Sequence, residues 1–81
     1  MSLAEQTAVK EFTDFINLSG AKLIKVEDVT LQLEEEDGDM NYWIVEAVVE
    51  YSHGEFHEEW HKHEHDPDNE WDCTYSEPDG F

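Results

Sequence analysis

The sequence predicts an α+β fold: one N-terminal helix packed on a four-stranded antiparallel β-meander, in the order α-β-β-β-β. Three observations predict it. Apolar residues in the first 18 positions recur at helical spacing. Later segments alternate apolar and polar residues at the two-residue period of a strand. Turn signals at Asp37-Gly38-Asp39, His53-Gly54 and Asp66-Pro67-Asp68-Asn69 separate those segments.

The helix has a start and a stop. Ser2-Leu3-Ala4-Glu5 reads as a capping box, in which the Ser2 hydroxyl accepts from the Glu5 amide and the Glu5 side chain reaches back. Ala4, Ala8, Val9, Phe12, Phe15 and Ile16 then share one face, with Gln6, Lys10, Thr13 and Asn17 opposite. Gly20 ends the helix after Asn17-Leu18-Ser19. A helix over residues 3–18 is expected.

Residues 22–36 read as extended. Val29, Leu31 and Leu33 alternate with Thr30, Gln32 and Glu34, while Ile24 and Val26 sit in the opposite phase. A bulge near Glu27-Asp28 reconciles the halves. A three-residue loop at Asp37–Asp39 sets Leu33 opposite Trp43 and Leu31 opposite Val45, all facing the helix.

The segment from Asn41 to His65 reads as one long hairpin turning at His53-Gly54, because glycine adopts positive φ at no steric cost. With Ser52 facing Glu55, Tyr51 lies opposite Phe56 and Ala47 opposite Trp60. One face carries Trp43, Val45, Ala47, Val49, Tyr51, Phe56 and Trp60, which can pack a core. The other carries Ile44 and Val48 among Glu46, Glu50, His57, Glu59, His61, His63 and His65. A fourth, short strand follows, in which Trp71, Cys73 and Tyr75 alternate with Asp72 and Thr74. It is expected to pair with Trp60–Glu64. Cys73, among apolar neighbours, reads as a small core residue. Residues 1–75 thus form a single α+β domain, and 76–81 a loose acidic C-terminal tail.

Eighty-one residues bury a modest core, so a homodimer is open. Three Trp, three Tyr and four Phe are ample for one core and argue against disorder. The single cysteine excludes an intramolecular disulfide and points to a reducing, cytoplasmic setting. No basic region followed by an apolar run opens the chain, and no stretch approaches the roughly 20 apolar residues of a membrane helix. The charge is extreme: 22 acids against four lysines, a formal net of −18. It is also lopsided. Residues 1–26 are balanced, with Glu5, Glu11 and Asp14 against Lys10, Lys22 and Lys25; residues 27–81 hold 19 acids against Lys62 alone. Such a field repels nucleic acid and anionic membranes and attracts cations and basic protein surfaces.

Imidazoles and carboxylates in a row raise the question of a metal. His61, His63 and His65 alternate, so on a strand they point one way, and His57 shares their face. The expected register puts Glu46 and Glu50 across from His61 and His57. Neutral imidazole and carboxylate are good ligands for zinc or another first-row divalent metal, and His61, His63 and Glu46 are the candidate set, with His57 and His65 in reach. The simpler reading is a solvated face whose histidines pair with neighbouring glutamates. A pH-sensing row is a further reading, with ordinary exposed histidines as the simpler one.

Gly54, His61-Lys62-His63 and Glu70 resemble in kind the metal motif of cupins, in which a glycine, an H-x-H pair and a later glutamate recur on barrel strands. Both spacings here are longer than that pattern allows, and the chain is too short for a double-sheet barrel, so a cupin fold is not expected.

No enzyme is expected. The serines sit in caps, turns or the tail without a nucleophile motif, surrounding acids disfavour a reactive Cys73 thiolate, and no glycine-rich loop cradles phosphate. The acid itself has three readings. As a small protein-binding module, with no cofactor, the chain displays carboxylates that occupy a basic groove built for phosphates on a partner protein, as a nucleic-acid mimic or inhibitor. In size and charge it resembles small acidic phage inhibitors of restriction, repair or CRISPR enzymes. Glu34, Glu46, Glu50, Glu59, Asp66 and Asp68 are the candidate partner-binding residues. The partner is then a basic protein surface, such as that of a nucleic-acid-binding protein, with no direct nucleic acid and no membrane. The second reading is the divalent-metal module. The third is adaptation to a salty cytoplasm, against which the balanced first 26 residues weigh.

Overall fold

A computed structural model describes residues 2–33, 41–64 and 67–79. One helix, α1 (Leu3–Leu18), precedes four strands: β1 (Lys22–Gln32), β2 (Tyr42–Tyr51), β3 (Gly54–His63) and β4 (Asp72–Pro78). The strands form one antiparallel sheet in the order β1-β2-β3-β4, and the helix lies across one face. This is the expected α+β meander. No described helix is long and apolar enough to cross a membrane.

The capping box fixes the start of α1. The Glu5 amide donates to Ser2 Oγ at 3.1 Å, and the Ser2 amide donates to Glu5 Oε1 at 2.9 Å. Gly20, at φ +88°, turns the chain after the last helical turn in a conformation that L side chains rarely adopt. Ala8, Phe12 and Ile16 point down from α1 onto Val29, Trp43, Val45, Ala47 and Val49. Trp71, just before β4, closes the core from the far side, edge-on to Phe12 at 5.1 Å. Trp60 meets Phe12 at 6.0 Å and Phe15 at 5.5 Å.

Both hairpin registers differ from expectation by two residues. Leu31 is opposite Trp43 and Val29 opposite Val45, while Leu33 lies beyond the strand, 61% exposed. Val45 is opposite Trp60 and Ala47 opposite Glu58. Side chains repeat every two residues, so a two-residue slip leaves each face intact. The β2–β3 turn explains the second slip. Tyr51 pairs with Gly54, so Ser52 and His53 form the loop rather than His53 and Gly54. A His53-Gly54 turn of the mirror-image type needs positive φ at its first residue. His53 does not adopt one; Gly54 does, at φ 138°, in the last turn position. His53 instead stacks on Tyr51 at 5.6 Å and packs against Phe56 at 5.0 Å.

β1 is broken twice, between Leu23 and Lys25 and between Val26 and Asp28. The second break is the expected bulge. The first extrudes Ile24 to the surface. Each extra residue resets the phase, so Leu23, Val26, Val29 and Leu31 all reach the core. β4 runs through Pro78, into the segment assigned to the tail, and pairs with Phe56–His61 rather than Trp60–Glu64. Thr74 is its bulge residue. The expected turn at Asp37-Gly38-Asp39 lies outside the described residues.

Candidate functional site: the outer face of the sheet

Alternation fixes what the face opposite the helix displays. Five transverse rows are populated by charge or ring, the one farthest from the β2–β3 turn by Gln32, Tyr42 and His63. From the β2–β3 turn, the first holds Lys22, Glu50 and Glu55; the second Lys25, Val48, His57 and Glu77. The third holds Asp28, Glu46, Glu59 and Tyr75; the fourth Thr30, Ile44, His61 and Asp72. Asp28, Glu46 and Glu59 therefore line up on three adjacent strands about 4.8 Å apart. Glu50 and Glu55 repeat the arrangement at the turn end. Like charges directly opposite one another destabilise a sheet, so these pairs oppose folding.

Some of these groups are pinned. His61 Nε2 lies 3.2 Å from Glu59 Oε2, and Thr74 Oγ1 donates to the same oxygen at 3.0 Å. The His61 ring stacks on Tyr42 at 5.2 Å. Tyr42, His61, His63, Asp72 and Thr74 surround an open concavity of about 250 Å³. Farther along, Glu27 on β1 reaches across β2 to His57 Nδ1 on β3, at 2.9 Å. Val48 lies between them on the same face, and it is only 1% exposed. The bridge thus roofs the one aliphatic side chain that the outer face fully buries.

The expected partner-binding residues divide. Glu46 and Glu59 face each other at the centre of the sheet, and Glu50 is exposed two rows away, at the turn end. Asp68 is exposed in the β3–β4 loop, away from the rows. Glu34 and Asp66 lie outside the described residues. The metal set is not brought together. The register puts Ile44 across from His61 and Tyr42 across from His63, so Glu46 is not opposite His61 but opposite Glu59. Val48, not Glu50, faces His57. Among the described residues no three His, Cys, Asp or Glu side chains are grouped as metal ligands; His65 lies outside them. Cys73 is exposed rather than a core residue, and partial desolvation, then the nearby Glu58 carboxylate, pushes its thiol up.

Two charged residues on the helix side escaped the sequence reading. Glu58, 4% exposed, accepts from Tyr51 Oη at 2.6 Å, Trp60 Nε1 at 3.0 Å and Ser76 Oγ at 2.8 Å. Burial and this bond raise the Tyr51 phenol well above its ordinary range. Lys62, 5% exposed, donates to Glu11 Oε2 at 3.0 Å, with the Trp71 ring 5.9 Å away. The signal was present: Phe56, Glu58, Trp60 and Lys62 share one face of an alternating strand.

Comparison of the chain with protein families, curated proteins and solved structures gave no match.

Proposed function

We propose that the chain is an acidic protein-binding module whose outer sheet face occupies a basic groove on a partner, in the manner of a nucleic-acid mimic. One observation carries this reading: Asp28, Glu46 and Glu59, and again Glu50 and Glu55, are held directly opposite one another on paired strands. These pairs work against the fold, and a cationic groove relieves them. A rigid sheet also presents its carboxylates at fixed spacing, so little ordering entropy is lost on docking.

The experiment is competition. Purified DNA-binding proteins are loaded with a labelled duplex and titrated with this protein at about 0.1 M and about 1 M salt, where screening shortens to about 3 Å. Displacement from at least one of them at low salt, lost at high salt, is expected. The triple variant E46Q/E50Q/E59Q is expected to compete less well while unfolding at higher urea, by roughly 0.2–1 kcal/mol for each relieved pair. A triple variant that competes as well as the parent refutes the assignment of this face.

A further inference from the structure

We propose that the free edge of β4 accepts an extended, basic segment of the partner as a fifth strand. The inference rests on the preceding reading for the sign of the partner's charge, and adds where and how its backbone docks.

The two edges of the sheet differ. β1 is broken by two bulges, is packed against by α1, and carries Lys22 and Lys25. Among the described residues β4 pairs on one side only, with β3, and every one of its residues is exposed. It has a single bulge, at Thr74, and no basic residue. An exposed edge is a row of backbone donors and acceptors ready to pair with another chain.

Charge selects the occupant. Asp72, Tyr75 and Glu77 stand on the outer face of β4, with Asp79 following. The Tyr75 hydroxyl donates to Glu77 Oε2 at 2.5 Å, fixing the two side chains together, and Tyr75 is half-exposed. A second copy laid along β4 brings Asp72 and Glu77 against their own duplicates, in a chain of net charge −18. The same acids that bar self-pairing attract a strand with Lys or Arg opposite Glu77. Two positions along that strand, a β-branched or aromatic residue fits opposite Tyr75. Added there, it extends the sheet by one strand and sets its basic side chains beside Glu77.

The test uses the whole protein and two labelled peptides of identical sequence, alternating lysine with valine and threonine. In one, every second amide is N-methylated, which removes the donors of one edge and keeps the charge. Fluorescence anisotropy is expected to show binding of the unmodified peptide and at least about tenfold weaker binding of the methylated one. Amide exchange at Ser76, whose N–H faces away from β3, is expected to slow on binding. D72N/E77Q is expected to weaken binding about tenfold with an unchanged urea midpoint, which separates docking from folding. Equal binding of both peptides, with chemical shifts moving at Glu46, Glu50 and Glu59, overturns the edge and leaves the outer-face reading intact. No binding of either peptide, while the DNA competition succeeds, likewise overturns only the edge. A concentration-dependent dimer that protects the Ser76 amide overturns it in favour of self-pairing.

Discussion

Replacing Glu58 with alanine removes a carboxylate that is almost fully buried and accepts from Tyr51, Trp60 and Ser76. A hydrogen bond to a charged group contributes about 1.5–3 kcal/mol, so the three together contribute roughly 4.5–9 kcal/mol gross. Against that stands the cost of holding a carboxylate out of water, several kcal/mol. Tyr51 and Trp60 are half-buried and Ser76 exposed, so the donors left behind regain water. The expected net loss is about 2–4 kcal/mol. For 81 residues, whose whole stability is of the order of 4–12 kcal/mol, that is a large fraction. Glu58→Gln keeps an acceptor for Tyr51 and Trp60, and the Ser76 hydroxyl can turn to accept from the new amide, so about 1–2 kcal/mol is expected. Urea unfolding at pH 7 followed by tryptophan fluorescence measures both, with the slope unchanged. An alanine variant as stable as the parent, or a glutamine variant weaker than the alanine one, refutes the claim that this carboxylate ties β2, β3 and β4 together.

Lys62 and Glu11 should respond asymmetrically: Glu11→Ala strands a buried ammonium and is expected to cost about 1–3 kcal/mol, reduced because the Glu11 side chain is 41% exposed. Lys62→Met should be near neutral in the same urea assay, since it removes charge and desolvation cost together. The Glu5 carboxyl is held below its ordinary range, first by the Ser2 amide and then by the Ser2 hydroxyl interaction. A lowered value means stability that is present above the ordinary glutamate range, about 4.3, and lost as pH falls through the lowered value. Glu5→Gln should flatten that acid limb in circular-dichroism melts. The Tyr51 phenol is raised, so its contribution is full below the unfolded value of about 10 and is lost as pH rises toward the folded one. Tyr51→Phe should therefore unfold less steeply with pH on the alkaline side.

Period-based features were legible in the sequence, and length-based ones were not. The stripe of α1, its capping box and the two faces of the β2–β3 hairpin follow from spacing alone. The β2–β3 register failed because the two-residue loop falls at Ser52-His53, with Gly54 taking its positive φ in the last turn position and not inside the loop. Ile24 misled because an apolar residue at a bulge faces water while its neighbours keep their phase. Glu58 and Lys62 were passed over because apolar residues alone defined the core face, although alternation placed both there. The expected histidine–glutamate set depended on register, so it dissolved when the hairpin slid by two.

The loop before β4 turns at Asn69, whose φ of 51° is unique among the described non-glycine residues. Its Nδ2 donates to the Glu11 carbonyl oxygen at 3.0 Å, and its Oδ1 accepts from Trp71 Nε1 at 2.9 Å. Glu11 also receives Lys62. A segment made earlier is thus completed by one made much later. During synthesis α1 emerges first, yet Phe12 has no Trp71 to lean on and Glu11 no clamp until nearly sixty further residues have been added. A ribosome-stalled fragment ending before Asn69 should display a helix that docks and undocks, and exposure of the chain past Trp71 should be the moment at which it locks.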